Sequence, residues 1–258
     1  MTRALTRTHF HSSRLICTLA DLSLLETVAP GVAFAEKLGL WVSFTDAINL
    51  SVVHSASFTE HPSKAKPLVG VAGAAAGVAL GQAFAAVRAG LVRSINRAGA
   101  ELPAPEVDAP TDLATVYAPY LRYYLAQQRE IELKLYPLRL QVRAVLARAS
   151  AEIRKLAALD AAMDQILCER ESKLLLKVPA LLEKRFRQLH ADHQQALAAT
   201  QQADNPALWL QPGGWLAGFC QDMQTVLIAE LDLRLQPALG LMEALQQDLI
   251  LRKHNINE

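Results

Sequence analysis

Residues 135–189 read LYPLRLQVRAVLARASAEIRKLAALDAAMDQILCERESKLLLKVPALLEKRFRQL. Apolar side chains return every three or four positions through Leu135, Leu138, Val142, Val145, Ala149, Ile153, Leu156, Leu159, Met163 and Ile166, then Leu174, Val178, Leu181, Phe186 and Leu189. This is the period of amphipathic helices. The run lies within the 113 residues from Ala100 to Pro212, which contain no glycine, the residue that after proline most weakens a helix interior. Pro137 and Pro179 each remove a backbone donor and crowd the preceding turn, so each is expected to start or kink a helix. No alternating strand pattern occurs anywhere. The predicted fold class is all-α: an elongated antiparallel helical bundle of coiled-coil character, preceded by an N-terminal helical segment and a Pro-rich linker.

Outward from that run, Gly99 to Pro110 holds Pro103, Pro105 and Pro110 and reads as the linker. The expected organisation is a helical segment over 1–54, an Ala/Gly-rich segment with the linker over 55–110, and the bundle over 111–258. In the first, Ser12 or Ser13 suits a helix N-cap, with Leu15, Leu19 and Leu22 on one face. A second helix is expected to turn Phe34, Leu38, Trp41, Phe44 and Ile48 inward as a core stripe. Thr111 or Asp112 suits the cap of the next helix, just ahead of Pro119, Tyr120, Tyr123 and Tyr124. After the loop beginning at Gln201, Trp209, Gln211, Pro212, Gly213, Gly214 and Trp215 form a tight turn flanked by two indoles. This turn is a candidate interaction surface, although a helix-to-helix turn stapled by tryptophan needs no further purpose. A last helix is expected from Leu216, ended by Pro237 and Gly240.

Leu68 to Val87 is a stretch of twenty residues with Gln82 as its one polar member, and it carries Gly73, Gly77 and Gly81 four apart. Glycines at this spacing make a flat strip where a second helix approaches closely, and twenty helical residues reach about 30 Å, the depth of a bilayer's hydrocarbon. Eight alanines and four glycines in the stretch add little insertion energy, so a packed helix competes with a membrane one.

The formal net charge is +1 over 258 residues. It divides unevenly: residues 111–200 hold fourteen basic and ten acidic groups, whereas 201–258 hold three and seven. The acidic C-terminal stretch is a ready partner for the basic middle, so nucleic acid is not the expected ligand. Cys17, Cys168 and Cys220 have no metal-ligand spacing and read as small core residues in a reducing compartment. The apolar run Leu15 to Ala20 is too short for a secretory signal. A cytoplasmic location is expected, with membrane association through 68–87 as the alternative.

No nucleophile elbow, phosphate-binding loop or zinc-protease motif is present, which favours a protein without enzymatic activity and without a cofactor. His190, Asp192 and His193 share a helix end but lack a distant third ligand. His9 and His11 are weaker still. Asp160 and Asp164, one turn apart, fit either paired catalytic carboxylates or an ordinary charged face. The basic row Arg170, Lys173, Lys177, Lys184 and Arg187 falls on one side of a helix, and the acidic C-terminal segment is expected to cover part of it.

The chain resembles a proteobacterial family known as a domain of unknown function. The resemblance is carried by Ser12 to Leu15 (SSRL), Phe34 to Ile48 (FAEKLGLWVSFTDAI), Leu159 with Asp160, Val178 to Phe186 (VPALLEKRF), Gln211 to Leu216 (QPGGWL) and Asp222 to Pro237 (DMQTVLIAELDLRLQP). It implies no catalytic residue, substrate or cofactor. It does imply an accessory part of an envelope-associated machine, since such relatives are encoded beside proton-channel subunits and OmpA-like cell-wall-binding proteins. The function expected is therefore that of a helical interaction or scaffold protein with a protein partner, possible homo-oligomerisation included. A component held at the membrane by residues 68–87 is the alternative, followed by an unrecognised enzyme.

Overall fold

The computed structural model describes residues 13–25, 39–56, 70–100, 102 and 112–255. These form seven long helices and one short 3-10 turn, with no strand among the described residues, so the protein is all-α. The helices are α1 (Arg14–Asp21), α2 (Phe44–Ser55), α3 (Gly70–Ala100), α4 (Leu113–Leu146), α5 (Ala151–Leu175), α6 (Val178–Thr200) and α7 (Trp215–Asn255). The 3-10 turn spans Pro206–Leu208.

Local chemistry explains most of the boundaries. Ser43 and Asp46 make a reciprocal capping box at the start of α2, satisfying two backbone donors that a helix end would leave bare. Asp112 accepts from the Ala114 amide and the Thr115 hydroxyl at the start of α4. Ser13 stands at the N-cap of α1, but its hydroxyl makes no capping bond.

The long apolar run is divided, though not where proline alone would divide it. Pro137 lies inside the continuous helix α4. Both Pro137 and Leu133, whose carbonyl loses its donor, are exposed, so water replaces the missing bond while Leu138, Val142 and Leu146 hold the buried side in place. The break comes at residues 147–150, where Ser150 accepts from the Ile153 amide at 3.2 Å and starts α5. Pro179 does open a helix, near the first turn of α6. Pro237 does not separate a terminal piece: α7 passes through it for 41 residues, secured on either side by buried Leu235, Ala238, Leu241 and Leu245.

The described residues gather into two compact units. The first falls within Met1–Val28, Val92–Glu130 and Lys177–Leu233; the second within Ala29–Leu91, Ile131–Leu176 and Arg234–Glu258. Helices α3, α4 and α7 each contribute to both. The first unit is built on rings: Phe186, fully buried, lies 5.1 Å from Phe219, 5.2 Å from Tyr117 and 5.2 Å from Trp215 between centroids, in the tilted and edge-on arrangements that aromatic quadrupoles favour. The second is aliphatic, with Leu80, Val142, Leu146, Ile153, Leu241 and Leu245 in one cluster.

Three expectations are corrected here. Phe34 and Leu38 lie outside the described residues, but Phe44 and Ile48 point outward from α2, because Leu50 and Val53 occupy its inner side. The cysteines are not core residues: Cys17 and Cys168 are exposed and Cys220 is partly buried, where burial pushes its thiol up to about 11. The basic row is not one helix face. Arg170 and Lys173 belong to α5, Lys177 precedes α6, and Lys184 and Arg187 lie on α6, so a break between helices interrupts the spacing.

Candidate functional site

The turn expected at 209–215 lies in the first unit and is built against one face of α6. That face presents Phe186, His190 and His193, spaced four and three apart. Helix α6 ends at Gln201 in the left-handed conformation (φ 53°), with the Gln202 amide donating to the Leu197 carbonyl. Asn205 then caps the 3-10 turn by accepting from the Ala207 amide at 3.1 Å. Trp209 follows, 2 % exposed, and Trp215 opens α7 at 8 %.

The two indoles are 5.2 Å apart between centroids. The His190 ring meets Trp215 edge-on at 5.3 Å, and the His193 ring stacks on Trp215 at 6.1 Å. Asp204 ties the arrangement together. Its carboxylate accepts from Trp209 Nε1 at 2.8 Å and from Gln194 Nε2 at 2.9 Å, and lies 3.0 Å from His193 Nε2. Burial opposes the charge on Asp204, yet the bonds from Trp209, His193 and Gln194 outweigh it and hold the carboxyl below its ordinary range.

Glycine is required in this turn for two separate reasons. Gly213 takes φ +89°, which L side chains rarely adopt. A Cβ on Gly214 would stand 2.2 Å from the Trp209 carbonyl oxygen, the same oxygen that accepts from the Ala217 amide at 3.0 Å. Gln211, Pro212 and Gly213 are exposed, while both indoles face inward.

This geometry has a pH signature. Burial lowers the His190 pKa from its ordinary value of 6.5; nearby Asp204 works against the shift and His193 with it. Above 6.5 the imidazole is neutral in both the folded and unfolded chain. Below it the unfolded chain takes up the proton first, so folding stability falls as pH drops. Asp204 acts in a separate window, its contribution being complete above 3.8 and lost below. Thermal melts between pH 7 and 5 are expected to show a falling midpoint, with a shallower slope in His190→Phe; an unchanged slope would contradict the assignment to His190.

The second unit contains a cavity of about 630 Å³ beside the paired carboxylates. Arg139 and Arg143 project from α4 onto Asp160 and Asp164 of α5, with bonds of 2.6 Å from Arg139 to each carboxylate, and of 2.6 and 2.9 Å from Arg143. Burial disfavours the Arg143 charge, but the hydrogen bonds it donates to Asp164 and Asp160 more than offset this and raise its pKa. Two guanidinium groups thus meet two carboxylates in a charge-balanced square. Both aspartates are held in ion pairs with α4.

Among the described residues, no ion pair joins the basic row to the C-terminal segment, and three of its members have local partners. The Arg170 guanidinium sits 5.7 Å from the Trp41 ring centre, Lys173 pairs with Glu169 and Arg187 with Glu183, while Lys177 and Lys184 are exposed. Three acidic residues of that segment pair elsewhere: Asp222 with Arg185, Asp232 with Arg14 and Asp248 with Arg252. Sequence reading missed Asp204 and Gln194, and also Glu230, which is fully buried and accepts from the Tyr124 hydroxyl at 2.8 Å and the Gln128 amide at 2.9 Å. Among the described residues no cluster of three or more His, Cys, Asp or Glu could hold a metal ion.

The chain belongs to the family described as "Protein of unknown function (DUF3348)", whose family model matches residues 1–247. No curated protein and no solved structure matches it at a significant level.

Proposed function

We propose that this member of the DUF3348 family is a helical interaction or scaffold protein without enzymatic activity, serving as an accessory component of an envelope-associated complex. The observation that carries this reading is the exposed apolar surface of α2, where Phe44, Ile48 and Val52 face water. Isolated exposed apolar residues are ordinary, whereas a grouped set marks a surface that another molecule covers. The groups with chemical potential point the same way. His190 and His193 are packed on indoles, and Asp160 and Asp164 are held by arginines. The setting in an envelope complex is what the sequence resemblance implies.

The test is affinity purification of the full chain from its own host, wild type against Phe44→Glu. Co-purifying proteins should be lost with the substitution. An unchanged set of proteins would overturn the role given to this surface.

A membrane-associated component is the second reading, favoured by Ala72–Gly99 of α3, which is long and apolar enough to cross a bilayer and whose most apolar window is only 11 % buried. Leu80 and Leu91 nevertheless contribute to the buried core, and insertion would have to withdraw them. Recovery of the chain solely in carbonate-resistant membranes would select this second reading.

A further inference from the structure

We propose that the outward face of α2 is a self-association surface, on which a second copy of this chain packs through Phe44, Ile48 and Val52 about a two-fold axis. The proposal rests on the interaction reading and names its partner. Helix α2 has two apolar lines. Leu50 and Val53 form the inner one, both partly buried, and the helix packs on α5. Phe44, Ile48 and Val52 form the outer one, exposed by 83, 48 and 62 %, and Leu40 just before the helix is 81 % exposed. No residue of α2 is fully buried.

The area fits a dimer. The three side chains of the outer line present roughly 350 Å² of apolar surface, so two copies face to face bury on the order of 700 Å² through the line itself, and the neighbouring exposed positions of α2 bring the contact toward the roughly 1,000 Å² of a specific interface. A patch of this size is also near the largest that a soluble monomer ordinarily exposes. The spacing fits as well. Phe44 and Val52 stand equidistant from Ile48, so a two-fold axis at Ile48 lays the line of one copy against the reversed line of the other. Such self-complementarity is what an isologous interface requires, and ridges spaced four apart interlock in the commonest class of helix crossing.

The composition of α2 argues against a lipid surface as the occupant. Helices that lie on membranes carry Lys and Arg on the polar face, whereas α2 (FTDAINLSVVHS) has neither. Its polar positions are Thr45, Asp46, Asn49, Ser51, His54 and Ser55.

The experiment is light scattering on the purified full chain at roughly 50 µM, in the range where an interface of this size associates. Wild type should have twice the 28.2 kDa chain mass. Phe44→Glu and Ile48→Asp should each halve the observed mass while circular dichroism and melting temperature stay unchanged, because both positions face water. In a Cys17→Ser, Cys168→Ser background, which removes the two exposed thiols, Ile48→Cys should form a disulfide-linked dimer on oxidation. A monomeric wild type overturns the proposal, as does a dimer that survives both substitutions. Flotation with anionic vesicles that Phe44→Glu abolishes, in a chain that never dimerises, overturns it in favour of lipid. A monomeric chain whose co-purifying proteins disappear in Phe44→Glu overturns self-association but leaves the interaction reading standing. If neither mass nor co-purification responds to Phe44→Glu, both fall.

Discussion

Replacing Trp209 by alanine is expected to lower folding stability by about 3 to 5 kcal/mol, the range for truncating a buried aromatic side chain. The indole is 2 % exposed and touches the Trp215, His190 and His193 rings. Its Nε1–H is also the only side-chain donor that reaches Asp204 from within the turn itself. The substitution therefore leaves a void between rings and removes the carboxylate's tie to the turn. Urea titration followed by circular dichroism measures the loss; a change under about 1 kcal/mol would mean that the turn does not depend on this ring. Trp215 offers a contrast. Its Nε1–H is buried with no hydrogen-bond partner among the described residues, so Trp215→Phe removes a donor unsatisfied there while keeping an aromatic ring, and should cost no more than about 1.5 kcal/mol.

Removing the buried carboxyl of Glu230 is the second large expected effect. Glu230→Ala takes the acceptor away from the Tyr124 hydroxyl and the Gln128 amide, both in the interior. Each donor deprived of this acceptor costs up to roughly 1 to 3 kcal/mol, so a total of about 2 to 6 kcal/mol is expected, with the void adding to it. Glu230→Gln keeps one of the two oxygens and should lose less. Adding Tyr124→Phe to Glu230→Ala should recover part of the loss, because the stranded hydroxyl is then gone. Strict additivity of the two changes would show that the hydroxyl and the carboxyl do not depend on one another.

The all-α class was legible in the recurrence of Leu135, Leu138, Val142, Val145 and the residues after them, since a helix repeats its buried side whatever it packs against. The capping positions of Asp112 and Ser43 follow from similarly local chemistry, although only the first was recognised. What sequence could not supply depends on contacts distant along the chain. Pro137 looked like a boundary because its own chemistry disfavours a helix interior, yet buried neighbours on the opposite side of α4 outweigh one missing bond. Phe44 looked like core because it is large and apolar; Leu50 and Val53, at their own helical spacing, take the inner side instead. The tight turn at Pro212 to Gly214 was readable from its glycines. Its attachment to His193 through Asp204 was not, because nothing in the sequence pairs residues eleven apart across a helix end.

Helix α7 has a consequence for how the protein is made. It leaves the ribosome after the other described helices, and it supplies residues to both units: Trp215 to Leu233 belong to the first, and Arg234 onward to the second. Phe219, Met223 and Val226 complete the ring-rich core, while Leu241 and Leu245 complete the aliphatic one. Domains that occupy consecutive stretches of chain fold in turn during synthesis, but here neither core can close before the C-terminal helix arrives. The amphipathic helices made before it keep part of their apolar faces uncovered until it arrives, so a chain terminated ahead of Trp215 is expected to hold two unfinished cores in place of one finished unit.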